Sequence, residues 1–138
     1  MDYDLTNLAK RFFVGVYEGN FSIVEELAAE DIISTYPIFA EIFNTAVLQG
    51  VEAYRNYALN FSQTWKNAEV TIHDEIADEN RVVLLWSFRA TRVLANHSSR
   101  WGGITLLRFD NFGKVVAEIG EESEPGPQER LLALDNPK

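Results

Sequence analysis

Leu5, Leu8, Phe12 and Val16 recur at helical spacing with Ala9 and Phe13 beside them, and Gly19-Asn20 supplies a stop. A first helix is therefore expected over about residues 4–18. Ser22 and Glu25 have the spacing of a capping box, which predicts a short second helix to Ala29, with Asp31 ending the pair. Ile32-Ile33-Ser34-Thr35-Tyr36 is β-branched and then meets Pro37, the pattern of a short edge strand followed by a turn. From Ile38 to Leu48 the chain is apolar without a period, and a helical turn and a loop both remain open. After Gly50, the spacing of Val51, Tyr54, Ala58, Phe61 and Trp65 restores a helix of about four turns.

From Ala68 onward the pattern is that of strands. Val70, Ile72 and the residues to Ile76 lead into the polar turn Ala77-Asp78-Glu79-Asn80, and a long strand is expected over Arg81 to Leu94. A hairpin loop at Ala95 to Ser99, a strand over Arg100 to Phe109, a turn at Asp110 to Gly113 and a last strand over Lys114 to Glu122 complete a meander. Pro125-Gly126-Pro127 opens a tail, residues 124–138, in which Gln128 to Leu134 predicts a short helix. Helices first and long antiparallel strands afterwards define an α+β order. A curved sheet around three N-terminal helices would leave a conical cavity, the expected place for function. Val82-Val83-Leu84-Leu85-Trp86 is apolar on both faces, so both sides of the sheet need cover there. Leu84, Trp86 and Phe88 are expected on the outer face, where a partner sheet would cover them.

The chain has 138 residues, enough for one domain over residues 1–138 with a sizeable core. Its 21 acidic against 12 basic residues give a net charge of −9, which argues against nucleic acid and anionic membranes as partners. No cysteine is present, which removes disulfides, thiolate nucleophiles and cysteine-based zinc sites. The N-terminal MDYDLTNLAKRFF has neither a basic region nor a continuous apolar run, so no signal peptide or transmembrane helix is expected and the protein reads as cytoplasmic. His73 shares a strand face with Glu75, while His97 falls in a loop; neither pattern predicts a metal site. No phosphate loop or cofactor motif occurs, so no cofactor is expected.

Several short segments carry a resemblance: Tyr17-Glu18-Gly19-Asn20, Leu27 to Ile32, Gln49-Gly50-Val51-Glu52-Ala53, Ile76 to Val82, and Leu107 to Val115. Together they cover nearly the whole chain, which resembles a nuclear transport factor 2-like domain of the branch holding SnoaL-like polyketide cyclases and ketosteroid isomerases. The resemblance implies a cystatin-like α+β roll: a cone-shaped curved antiparallel sheet wrapped around three N-terminal helices, commonly paired through the sheet as a homodimer. It also implies where catalytic groups would lie. The Asp base of the isomerases aligns with Tyr36, their oxyanion acid with Thr105 and its Tyr partner with Phe12. The catalytic Asp of the cyclases aligns with Gly120, and the Arg and second Asp of similar epoxide hydrolases align with Ser87 and Arg89. No known active site of the superfamily transfers intact.

By the same alignment and strand alternation, Ser87, Arg89 and Thr91 should share a face with Gly103, Thr105 and Leu107, and with Glu118, Gly120 and Glu122. Glu118 with Arg89 and Tyr36 are thus the candidate catalytic residues, with Glu118 as general base. Phe12, Tyr54, Ser87, Trp101, Thr105 and Glu122 are the candidate ligand-binding residues. The acidic run Glu118, Glu121, Glu122 and Glu124 reads mostly as a solvated sheet edge. Trp65, Trp86 and Trp101 fit core packing and dimer contact better than an aromatic cage. The expected function is binding of a small apolar or aromatic molecule, with cofactor-free isomerase- or cyclase-type acid–base chemistry on it. The alternative is a non-catalytic ligand-binding or protein-interaction module of the same fold.

Overall fold

A computed structural model describes residues 3–135; the last residues of the expected tail, 136–138, lie outside them. Leu5–Tyr17 forms α1, capped by Asp4, whose side chain accepts from the Asn7 amide at 3.1 Å. Ser22–Leu27 forms α2. Ser22 is its first residue and turns its hydroxyl to Asn20 Oδ1 at 2.7 Å, so the expected capping box does not form. The chain extends directly into β1, Ala28–Thr35, two residues before the expected end of that helix.

The unpatterned segment contains one helical turn, α3 at Phe39–Ile42, and the two-residue strand β2 at Leu48–Gln49. Helix α4 spans Val51–Thr64. The strands β3 (Trp65–Asp78), β4 (Arg81–Arg92), β5 (His97–Phe109) and β6 (Val115–Ser123) follow, and α5 at Pro127–Asp135 closes the described chain. All six strands form one curved, open sheet in the order β2-β1-β6-β5-β4-β3. Its pairs are antiparallel except β1 with β6, which run parallel.

β6 is therefore an interior strand, flanked by β1 and β5. Its pairing with β1 ends at Ile119, so Glu118 is interior and completely buried, against the expectation of a solvated edge, whereas Glu121, exposed, and Glu122, half-buried, pair only with β5.

The concave face holds the core, and β4 decides which side chains reach it. Val82, Leu84, Trp86, Phe88 and Ala90 are buried there, opposite Leu107, Thr105, Gly103, Trp101 and Ser99 of β5. The face expected from the sequence is thus reversed on this strand: Leu84, Trp86 and Phe88 point in, while Ser87 and Arg89 point out. A strand apolar on both sides carries no alternation from which to read its facing. Fit to the neighbour settles it, because a Cβ on Gly103 would lie 2.7 Å from the Trp86 ring. The Trp86 indole fills the space that Gly103 leaves.

The expectation that β4 is covered on both sides acquires different residues. Val83 and Leu85 face outward beside Ile76, Ile104 and Ile119, and Ile76 and Ile104 remain 65% and 46% exposed. A bulge between Ile72 and Asp74 also breaks the alternation of β3. It separates His73, whose Nε2 lies 2.7 Å from Ser87 Oγ on the outer face, from Glu75, which pairs with Lys10 of α1. His73 and Glu75 therefore do not share a face.

Candidate active site

β6 turns Glu118, Gly120 and Glu122 into the cone, opposite Leu107, Thr105 and Gly103. Glu118 is completely buried, and none of the ion pairs among the described residues involves it. A lone buried carboxylate costs several kcal/mol unless hydrogen bonds compensate it. Here tyrosines compensate. Tyr17 of α1 and Tyr36, just beyond β1, each donate to Glu118 Oε2 at 2.6 Å, and Tyr54 of α4 donates to Oε1. Tyr54 is also stacked on Phe12, with ring centroids 5.7 Å apart.

Three further donors stand behind these. Trp86 Nε1 donates to Thr105 Oγ1 at 3.0 Å, and Thr105 lies 2.8 Å from the Tyr36 hydroxyl. Tyr57 of α4 lies 2.7 Å from the Tyr17 hydroxyl. A hydroxyl has one proton, so with Glu118 ionised the directions are fixed. Tyr36 and Tyr17 spend their protons on the carboxylate, Thr105 donates to Tyr36, and Tyr57 donates to Tyr17. Every donor points toward Glu118.

Gly120 makes room for this arrangement. A Cβ there would lie 2.1 Å from Tyr36 Cε1. The positions where the resemblance led one to look for carboxylates, 36 and 120, are therefore one volume: the Tyr36 ring lies in the space above Gly120. The network holds its acid one turn of the pleat earlier, at Glu118.

Burial pushes the Glu118 carboxyl above its ordinary value, and the hydrogen bonds from Tyr17, Tyr36 and Tyr54 pull it partly back. Burial, and next the Glu118 charge, push all of Tyr17, Tyr36 and Tyr54 well above the usual phenol range; Tyr57 moves the same way. The tyrosines are thus protonated donors at neutral pH. A raised Glu118 means that the folded protein holds this proton to higher pH than the unfolded chain does. Its contribution to stability is lost as pH rises from the unfolded carboxylate value, about 4.3, through the folded one. Urea unfolding of wild type and Glu118→Gln should therefore show wild type losing stability relative to the variant as pH rises above the unfolded carboxylate value, until the folded carboxyl is ionised. A difference independent of pH would contradict this.

A cavity of about 490 Å³ opens above the tyrosines. Tyr17, Tyr36 and Tyr57 form its polar floor, while Glu118, Tyr54 and Thr105 lie behind them, out of reach of its contents. Trp65, Trp86, Trp101 and Phe88 supply walls, and Ile38, Ile42 and Phe43 complete one side. The segment that the sequence left open is thus a wall of the cavity and does not fill it. Arg92 and Glu124 stand at the exposed rim, and Glu122 is half-buried inside it. Burial pushes Glu122 upward, the Trp101 indole holds it down in part, and Glu118 and Glu121 add repulsion.

Of the residues expected in the site, Glu118, Tyr36, Tyr54 and Thr105 come together in one network, and Trp101 and Glu122 line the cavity. Phe12 packs in the core beneath Tyr54. Arg89 and Ser87 are placed outside the cone. Arg89 bridges to Glu69 at 3.0 Å on the outer face, and Ser87 hydrogen-bonds His73 and Glu129 of α5 there. Tyr17, Tyr57 and the Trp86 indole were not foreseen. Their signal was weak but present: Tyr54 and Tyr57 are three apart on one helix, and Tyr17 ends another, so three hydroxyls sit among apolar positions that otherwise face the core. Among the described residues, no group of three His, Asp or Glu could hold a metal ion, and no helix is long and apolar enough to cross a membrane.

A curved, open sheet packed on helices, with a polar-floored cavity between them, defines the class, and the sequence places the chain within it. Residues 9–118 match the SnoaL-like domain family, and the chain belongs to that family. No curated protein matches the sequence. Among solved structures, an NTF2-like protein of unknown function from Burkholderia pseudomallei superposes with a TM-score of 0.74 at 15% identity, covering 98% of this chain and 99% of its own. A candidate SnoaL-like polyketide cyclase from Jannaschia sp. gives 0.73 at 12% identity, covering 100% and 99%. An LEH-like epoxide hydrolase of M. tuberculosis gives 0.71 at 14% identity, covering 97% and 96%. At these identities the likeness is one of fold.

Proposed function

We propose that this protein binds a small, largely apolar molecule in the cone and performs cofactor-free acid–base chemistry on it, with Glu118 as the proton acceptor acting through tyrosines. The observation that carries this reading is the placement of Glu118: sealed from the cavity, yet hydrogen-bonded at 2.6 Å to two tyrosines that line it. In the forward step, a ligand C–H or O–H proton passes to the Tyr57 oxygen, the Tyr57 proton to Tyr17, and the Tyr17 proton to Glu118. Tyr36 offers a second, shorter entry. The ligand is left with the electron pair, and Glu118 is left neutral. In reverse, protonated Glu118 turns the same hydroxyls into donors, so one network serves as base and then acid, as an isomerase or cyclase step requires. The cyclase and epoxide hydrolase among the similar structures are compatible with such chemistry.

The test needs no natural substrate. In D₂O, wild type should accelerate deuterium exchange at the α-carbon of 2-tetralone, a flat bicyclic ketone small enough for the cavity, followed by proton NMR. No acceleration over buffer for this ketone and for related enolisable bicyclic ketones would favour the non-catalytic reading.

The same proposal includes a second copy of the chain as partner, packed on the outer sheet face. The aliphatic strip of Ile76, Val83, Leu85, Ile104 and Ile119 crosses several strands and would be self-complementary about a two-fold axis. Sedimentation at micromolar concentration should give about twice the 15.7 kDa chain mass, and Ile104→Lys should give the monomer. A monomeric wild type would refute the pairing.

A further inference from the structure

The acid–base reading leaves the other half of the cavity unexplained. Trp101 lies against Trp65 and Phe88, with ring centroids 5.0 Å and 4.5 Å apart, and the three rings form an aromatic wall. One cation already uses it: the Arg92 guanidinium lies over Trp65 at 5.6 Å from the ring centre. Glu122 projects from β6 beside this wall. Among the described residues no ion pair involves Glu122 or Glu124. A half-buried carboxylate with no cation beside it, against tryptophan faces that attract cations, is a pairing that a positively charged ligand would complete.

The floor and the wall also have a fixed spacing. Gly120 lies under the Tyr36 ring, and Glu122 is two residues further on the same face, so the two functions are about 7 Å apart along the strand. That is close to the length of a fused two-ring system. A cavity of about 490 Å³ accommodates two or three such rings.

Resting on the acid–base reading and deepening it, we infer that the cavity selects planar aromatic amines that are cationic at neutral pH, with the charged nitrogen at Glu122 against Trp101 and the reacting end over the tyrosine floor. Anionic ligands of the same outline bind more weakly, because Glu122 and Glu124 outnumber Arg92, the one cation among the lining residues, and Glu118 lies behind the floor.

Three probes of one three-ring outline test this: 9-aminoacridine as the cation, 9-anthracenemethanol as the neutral form and anthracene-9-carboxylate as the anion. Their dissociation constants are read from quenching of tryptophan fluorescence. The cation should bind at least about tenfold tighter than the neutral probe, and the anion more weakly than either. In Glu122→Gln the cation's advantage should fall to about twofold or less, with the neutral probe's affinity unchanged within about threefold. Glu121→Gln, which removes the same charge from the outer face, should keep the advantage and so separates the site from attraction to an acidic protein at large. Equal affinities in wild type, or an advantage that survives Glu122→Gln, would overturn the inference while leaving the cavity a binding site. Failure of all three probes to bind would overturn the inference and the binding reading together.

Discussion

Glu118→Gln should slow α-proton exchange of 2-tetralone by about 10²–10⁴-fold, the range associated with losing a positioned general base, while the protein stays folded. The carboxamide oxygen takes the place of Oε2 and still accepts from Tyr17 and Tyr36. Its NH₂ group then faces Tyr54, whose hydroxyl must turn to accept. That rearrangement costs about 1–3 kcal/mol at most, and it is offset by removing a buried charge. The network therefore survives with its acceptor unable to take a proton. Tyr17→Phe and Tyr36→Phe each remove one of the two cavity-lining hydroxyls that reach Glu118 and should slow exchange less than Glu118→Gln; together they should match it. Full activity in Glu118→Gln would mean that the tyrosines act without it.

The second large effect concerns a residue with no side chain. Gly120→Ala places a methyl group 2.1 Å from the Tyr36 ring, and the parallel pairing of β1 with β6 holds the backbone just before that ring. The ring has to leave its hydrogen bonds to Glu118 and Thr105, so overpacking of about 1–3 kcal/mol adds to a buried carboxylate one donor short, about 1–3 kcal/mol more. For a chain of this length the melting temperature should fall by about 10 °C. Tyr36→Ala alone should also destabilise, by leaving a cavity. The double variant should be more stable than the sum of the two losses implies, because the alanine methyl then enters vacated space. Additive losses would show that the ring and Gly120 do not share one volume.

This pair also shows what the sequence did and did not make legible. Each of positions 36 and 120 reads as the loss of a carboxylate when taken alone. Only the register that sets Glu118 opposite Leu107 and Gly120 opposite Thr105 reveals them as a single exchange, with Tyr36 packed over Gly120 and the acid two residues earlier. Helix periodicity gave α1 and α4 to within a residue or two, because one apolar stripe faces one core. On β6, alternation says that Glu118, Gly120 and Glu122 share a face, and the alignment implied by the resemblance made that face the inner one; together they held there. They failed on β4, where Val83 and Leu85 are as apolar as Leu84 and Trp86, and so Arg89 and Ser87 were expected inside. The bulge in β3 separated His73 from Glu75 for a related reason: one extra residue in a strand inverts every facing beyond it. The tyrosines were visible as residues and invisible as a cluster, since Tyr17 of α1, Tyr36 beyond β1 and the α4 pair Tyr54 and Tyr57 meet only around Glu118.

The central claim is that Glu118 receives the ligand's proton through hydroxyls that line the cavity. Its most direct test is the pH dependence of the 2-tetralone exchange rate in wild type and Glu118→Gln. The account predicts that the wild-type rate rises with pH through a single ionisation lying above the ordinary carboxylate range, and that this ionisation is missing from the residual rate of Glu118→Gln. The same ionisation persisting in the variant would assign the base to another group and contradict the account.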